Sequence, residues 1–553
     1  MQRTIRRSAM LGGFILVVML GLTIATLKLR DITLFANPQI LFVRFGEDSQ
    51  VAEGARVFTS GVKIGTVSDS FDCMQQAAGD VASGDLPPGI VVLQNEVGCG
   101  SGSDEGRAMM QIIHDLAPGA EQLFHTGFLG AADMAQGIVD LEQAGADVIV
   151  DDIAYFNMPF FQDGIIAQAA DTVFARGVPY FSAAGNAGRA SWEGAFRNSG
   201  IVGASSGFLH DFDPGGQVQT VQRVDIPVGA TATFIFQWNQ PFFSVSGAPG
   251  AATDLDFYIT DAAGFIQFAG IDFNQGADAL EIVGFTNDGS FDADGIPGPD
   301  ESFGVAVELF AGPEPSLMKY VIFGGSPDIV DFDTQSPTLF GHPNANGAEA
   351  VGAAAYFETP AFGTTPPLLE PFSAAGGIDI LFTTSGASTV ESREKPEIVA
   401  PDGVNTTFFF SDFEPDGFPN FFGTSAAAPH AAAVAALLLE RNANLTPSQV
   451  YEAMEVSALD MGTPGVDPDS GHGLVRADAT LDTQSRCSQP VTAGDLPTAS
   501  DCLFILKIAV GPDECSPACI CDTDASGRVT ATDTLICLKV AVGQSGPRLN
   551  CPC

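Results

Sequence analysis

The chain has 553 residues, and its 67 acidic against 23 basic side chains give a formal net charge of −44. Phosphate recognition needs clustered Lys and Arg, so no nucleic-acid partner is expected. The length calls for several domains, and 45% hydrophobic residues are enough to fill more than one core.

Residues 1–30 read as a targeting segment. Arg3, Arg6 and Arg7 form a basic start, and Met10 to Leu27 is an apolar run, long for a signal-peptide core and just long enough to span a bilayer. Thr23-Ile24-Ala25 is a weak cleavage site. Removal as a signal peptide and retention as an anchor both place the remainder outside the cytoplasm, with membrane contact only through this segment if it is uncleaved. Cysteine usage agrees. Cys73 and Cys99 stand alone before residue 480, and the other eight crowd between Cys487 and Cys553, which in an exported chain reads as disulfides. A zinc set from Cys519, Cys521, Cys551 and Cys553 has poor spacing and no nearby histidine.

From residue 31 to 206 short apolar runs alternate with helical patterns. Gly61 to Val67, Ile90 to Leu93, Val148 to Val150 and Pro179 to Ser182 read as buried strands. Arg107 to Leu116 and Gly164 to Ala175 read as helices. The alternation predicts an α/β domain with a parallel sheet, whose site lies at the carboxyl ends of strands. Asp69 and Asn186 both fall at such ends. Residues 207–334 break the pattern with short aromatic and β-branched runs such as Ala230 to Trp238 and Phe303 to Phe310, which predict an inserted β-sandwich. Its acidic loop, Asn287 to Ser302, has the composition of a calcium loop or of a solvated turn. The α/β pattern resumes over 335–482. The tail, 487–553, contains a repeat: Asp501 to Gly511 recurs as Asp533 to Gly543.

Within the resumed α/β segment, Gly423 to Glu440 presents Ser425 at the start of an alanine-rich helix. A helix start supplies free N–H groups and a positive dipole end, which suit an activated nucleophile and an oxyanion. This stretch, GTSAAAPHAAAVAALLLE, with Lys395 to Val404 before it, resembles the nucleophile region of the subtilisin-like serine peptidases. The resemblance implies Ser425 as nucleophile, Asp69 as the first acidic residue of the site, Asn186 as oxyanion donor, and protein or peptide substrates. The family's His-Gly-Thr motif is missing. Glu105-Gly106 stands in its place, which resembles the sedolisins, acid-acting relatives with a Ser-Glu-Asp site. That likeness is partial: Met109 stands where their second carboxylate lies, and Asn186 replaces their oxyanion acid. It implies Glu105 as general base and an acid pH optimum, because a free glutamate titrates near ~4.3. Asp104 and Asp152 are spare carboxylates beside it. His114, nine residues along the helix from Glu105, and His430, on the serine's own helix, read as structural. The alternative is a catalytically silent scaffold or adhesion protein that has lost its base.

In the tail, Asp522, Asp524, Ser526, the Arg528 carbonyl, Thr530 and Asp533 fall at positions 1, 3, 5, 7, 9 and 12 of a loop with Gly527 at 6. That spacing is the calcium loop of an EF-hand with a shortened last acid. With the repeat it resembles a type I dockerin, which implies calcium and a cohesin-like partner. Pro490, Thr492 and Gly494 replace the first ligands of the other copy. The sequence therefore predicts a subtilisin-like α/β fold, interrupted by an inserted all-β sandwich and followed by a small calcium-loop helical tail.

Overall fold

The computed structural model describes residues 61–100, 102–290, 301–485, 488, 497–511, 515, 520–524, 526–542 and 551. The targeting segment at 1–30, the middle of the acidic loop and the degenerate repeat positions Pro490, Thr492 and Gly494 lie outside these described residues. Among the described residues no helix is long and apolar enough to cross a membrane.

Seven parallel strands form the central sheet: β1 (Lys63–Ser68), β2 (Val91–Gln94), β3 (Glu121–Thr126), β4 (Val148–Asp151), β5 (Tyr180–Ala183), β6 (Ala348–Ala355) and β7 (Ile398–Asp402). Their order in space is β2-β3-β1-β4-β5-β6-β7, with every neighbouring pair parallel. The chain runs from β1 to one edge and then crosses to its other side. The carboxyl end of β1 is thus the switch point at which open α/β sheets hold their ligands, and Asp69 is the residue that follows it.

Period-2 alternation sorts the strand residues between two helical layers. Ile64, Val148, Val150 and Ile398 pack with α2 (Glu105–Leu116) and α5 (Thr424–Arg441). Val67, Ile149 and Tyr180 pack with α3 (Ala131–Gln143) and α4 (Ile165–Ala175). A short helix, α1 (Ala77–Ser83), follows β1, and α6 (Pro447–Glu455) follows α5. α5 is buried along nearly its whole length, and its alanines let it lie close on both the sheet and α2. β3 carries no β-branched or alternating run long enough to mark it in advance; it forms because Leu123 and Phe124 are buried between β1 and β2.

The inserted region is two antiparallel layers around an aromatic core that includes Phe234, Phe236, Trp238, Phe257 and Tyr320. Its start corrects the expected boundary at 207. Ser191–Gly194 pairs with Met318–Phe323, and Asn198–Val202 pairs with Phe208–His210, so the layers begin before residue 195. These two strands are four and five residues long with no alternating pattern, and Trp192 is what commits the first to the core. A second apolar cluster, Phe160, Phe161, Ile235, Val321 and Ile378, joins the sandwich to the α/β layers. Gln237 fixes the junction, accepting from the Phe160 N–H at 2.7 Å and donating to the Met158 carbonyl at 2.8 Å. In the tail, α7 (Ala499–Val510) and α8 (Ala531–Ala541) are joined by the Cys502–Cys537 disulfide, and Cys515–Cys521 closes a shorter loop. Cys73–Cys99 bridges the segment that leads into α2.

One buried ion cluster sets the start of α2. Arg107 is fully buried and pairs with Asp80 and with Asp104, the latter at 3.2 Å. Its guanidinium carbon lies 3.6 Å from the centre of the Phe408 ring. Removing Arg107 leaves two carboxylates buried without a counter-charge, a loss of about 3–5 kcal/mol. Urea unfolding of Arg107→Met is expected to show a fall of that size. Unchanged stability would contradict the role of the cluster.

Candidate active site

Asp69 joins the end of β1 to the start of α2. Its Oδ1 accepts the N–H groups of Ser70 and, at 3.3 Å, Gly106; its Oδ2 accepts the Ser103 N–H at 2.5 Å and the Ser103 hydroxyl at 2.7 Å. The carboxylate thus sits where the helix dipole is positive. Gly106 permits the approach: a Cβ there would stand 2.4 Å from the Phe124 ring and 2.9 Å from the Ser68 Cβ.

Glu105, the first residue of α2, then lies against Ser425. The Ser425 hydroxyl and the Asp152 carboxyl both neighbour the Glu105 carboxyl group and ease its ionisation. Burial and then the charge of Asp69 push Glu105 up to about 7, against the pull of those two neighbours. Asp152 follows β4, with both carboxyl oxygens out of solvent and no N–H or hydroxyl donating to them at normal geometry. The Ser68 hydroxyl lies alongside. Burial, then Glu105, then Asp69, raise Asp152 well above the usual carboxylate range. Burial and mutual repulsion disfavour charge on both groups at once, so the titrations of Glu105 and Asp152 are linked and favour a proton retained between them.

Ser425 is 8% exposed, at the second position of α5. The residue before that helix, Gly423, has φ +125°, a conformation that disfavours any side chain, and its N–H donates to Asp402 Oδ2 at 2.8 Å. Thr424 donates its N–H at 3.0 Å and its hydroxyl at 2.9 Å to Asn186 Oδ1. That orients the Asn186 amide with Nδ2 free of these contacts. Ala426 and Ala427 donate to the Gly423 carbonyl, so the Ser425 N–H is the first-turn donor left for a ligand.

The fold therefore brings Asp69, Glu105, Asp152, Asn186 and Ser425 to one place. Asp104 does not join them as a spare carboxylate. It accepts from the Ser70 hydroxyl at 2.9 Å and from the N–H groups of Cys73 and Met74 at 2.6 and 3.0 Å, besides pairing with Arg107. Its oxygens are taken up in shaping the loop after Asp69. Nor does a histidine supply the base. His430 Nδ1 lies 2.8 Å from the Ala426 carbonyl, and burial lowers it to about 4. His342 is 2.7 Å from Asp151, and His125 is 2.7 Å from the Thr126 carbonyl. His210 accepts the Arg197 N–H in the sandwich, His472 faces Glu455, and His114 stands beside Asp85. Asp402 was not singled out, although it lies within Lys395 to Val404. Burial raises it to about 7, and its position as the last residue of β7, before Gly403, was the available signal.

Residues 89–473, more than half of the chain, match the family model described as the Subtilase family. The chain belongs to the subtilase family. Curated relatives that this subtilase resembles include Fervidolysin of Fervidobacterium pennivorans, 34% identical over 107 residues, which are 19% of this chain and 14% of that protein. The minor extracellular protease Epr of Bacillus subtilis (strain 168) is 35% identical over 107 residues, 19% of this chain and 16% of that protein. The subtilase thus spans less than a fifth of the length of either. Among solved structures, a lanthipeptide protease aligns over 76% of this chain and 87% of its own at 14% identity, with a TM-score of 0.37.

In the tail, oxygens of Asp522, Asp524 and Asp533 lie within 4.8 Å of one another. Gly527 (φ +76°) turns the loop back, and its N–H and that of Ser526 donate to Asp522. The Ser526 hydroxyl donates to the Arg528 carbonyl at 3.0 Å. Asp533 has two duties: Oδ1 accepts the Thr523 N–H at 2.6 Å, and Oδ2 accepts the Thr530 N–H at 2.7 Å in a capping box for α8. Three hard oxygen donors around a tight turn fit a calcium ion.

The raised carboxyl groups carry a stability consequence. A carboxyl whose folded value lies above its ordinary value stabilises the fold only while it is protonated. For Glu105 that contribution is complete below about 4.5 and disappears as pH rises through about 7. Glu105→Gln and Asp152→Asn are therefore expected to raise the unfolding temperature at pH 8 and to change it little at pH 4. Equal effects at both pH values would contradict the buried, proton-sharing pair.

Proposed function

We propose that this subtilase is an exported serine endopeptidase that cleaves peptide bonds through an acyl-enzyme, with Glu105 in place of a histidine base. The observation that supports this most is the buried Glu105 carboxyl placed beside Ser425, with its proton affinity raised to about 7. A carboxylate of that strength matches a histidine as a base at neutral pH. Glu105 takes the proton from Ser425 Oγ as the oxygen attacks the substrate carbonyl carbon. The Ser425 N–H and Asn186 Nδ2 receive the developing oxyanion. Glu105 returns the proton to the leaving amine, then takes one from the water that attacks the acyl-enzyme and gives it to the Ser425 oxygen as that bond breaks. Asp152 holds the shared proton against Glu105 and keeps it aimed at the serine, and Asp69 anchors the helix start that presents it. Export is supported by the basic-apolar start of the sequence and by the disulfides, and an extracellular relative is consistent with it.

This mechanism replaces the acid optimum expected for a free glutamate. The base must be ionised, so kcat/KM is expected to rise through about pH 7 and to fall again as the pair loses its second proton. Glu105→Gln is expected to cost about 10²–10⁴-fold at every pH. Asn186→Ala is expected to cost about 10²–10³-fold, the size known for losing the corresponding donor in a subtilisin. A pH–rate profile on a casein-derived peptide measures both. An optimum below pH 5, or full activity in Glu105→Gln, would contradict the assignment. No hydrolysis by the wild type under any condition would favour the silent scaffold.

For the tail we propose a single-calcium, dockerin-like docking module with a cohesin-like partner, supported by the geometry of Asp522, Asp524 and Asp533. Titration of the full chain with calcium is expected to show a site that the double variant Asp522→Asn, Asp533→Asn lacks. An unchanged isotherm in that variant would contradict it.

A further inference from the structure

Next to the nucleophile helix lies a cavity of about 580 Å³. Its walls include the rings of Phe357, Phe372, Phe413 and Phe422, and the carboxyl groups of Glu370 and Glu414. Neither the fold nor the steps at Ser425 account for it. It is built onto the reacting end of the sheet. Phe422 immediately precedes Gly423, and Phe372 packs on the core that holds α5. The Glu370 N–H donates to the Ala353 carbonyl at 2.9 Å, near the carboxyl end of β6. The charge of Glu370 also reaches Asp402, which accepts the Gly423 N–H. A substrate laid across Ser425 therefore has this cavity within reach of a side chain flanking the bond.

The chemistry of the walls is selective. Phe413 meets Phe422 at 5.4 Å and 86°, and Phe357 meets Phe422 at 6.4 Å and 70°, so perpendicular rings offer faces as well as edges. Phe413 is 67% exposed and Phe357 43% exposed, which leaves apolar surface uncovered in the free protein. The Tyr356 hydroxyl donates to Glu414 and holds it in place. No Lys or Arg is among the lining residues to neutralise the two carboxyl groups. Apolar faces with acids between them suit a long alkyl stem that ends in a cation, which gains from ring contact, cation–π attraction and ion pairing together. An aliphatic or aromatic side chain would use the rings and leave the acids unpaired, and an acidic one would be repelled.

We propose that this cavity is the subsite for a lysine or arginine side chain of the polypeptide substrate, adjacent to the bond cleaved at Ser425. The assignment rests on the peptidase reading, and its test is made separable from it. Fluorescent octapeptides in which one lysine is moved through an otherwise neutral sequence are titrated into the full-length Ser425→Ala protein. Each is compared with its norleucine counterpart, equal in stem length without the charge. One position is expected to bind about tenfold more tightly with lysine than with norleucine, and arginine is expected to do the same. Glu414→Gln and Glu370→Gln should remove that difference and leave norleucine binding unchanged. Phe413→Ala, at an exposed position, should weaken both peptides. Lysine and norleucine binding equally at every position would overturn the proposal, as would a preference that survives both glutamine variants. The same peptides offered to the wild type read cleavage on its own: selective binding without hydrolysis would refute the peptidase and leave the subsite standing.

Discussion

The bond set around Asp69 is the constraint from which the rest of the site follows. Its two oxygens take up the loop after β1, the Ser103 N–H just before α2 and the Gly106 N–H in its first turn. A strand end and a helix start are thereby locked into one orientation. Glu105, one residue before Gly106, has no freedom to leave the neighbourhood of Ser425 while those bonds hold. The close seating of Gly106 on Phe124 and Ser68 and the buried Arg107 cluster fix the same joint from two other sides. α5 meets it from the opposite direction, with Asp402 and Asn186 holding the turn before Ser425. Position here comes from backbone N–H groups and buried charge, and so from the fold itself.

Electrostatics then gives the joint its chemical character. Asp69, Glu105 and Asp152 approach one another from three elements, and burial penalises each added negative charge. The arrangement keeps a proton at the site at pH values where isolated carboxyl groups would have lost it. An imidazole would gain its charge during reaction, whereas a carboxylate loses its own. The proposed carboxylate base would need surroundings that resist ionisation, and the buried Asp152 beside Glu105 is of that kind. The cost falls on stability at neutral pH, a pattern common where function needs strained or repelling groups.

Much of this was legible from residues alone. The apolar runs at Gly61 to Val67 and Val148 to Val150 marked strands because both faces of a parallel sheet are buried. The Ser425 helix start and the Glu105-Gly106 pair were marked by their resemblance to the motifs of a known family. What the sequence hid was three-dimensional. Asp104 and Asp152 look alike as acids beside strand or helix ends. One is spent on Arg107, Cys73 and Met74, and the other is buried with no donor to either oxygen. The expected acid optimum followed from the ordinary strength of glutamate, and composition does not record the burial that raises Glu105. The sandwich began early because a single residue, Trp192, anchors a strand too short to show alternation.

The central claim is that one glutamate is held as a near-neutral base by burial and by its acidic neighbours. The direct measurement is the titration of Glu105 in the intact fold, followed by carbon NMR of protein labelled at the glutamate side-chain carboxyl, in the Ser425→Ala background. Glu105→Gln identifies its signal. The account predicts an apparent midpoint near 7, with a second inflection from the partner carboxyl that disappears in Asp152→Asn. A single midpoint near ~4.3, the value of a free glutamate, would contradict it.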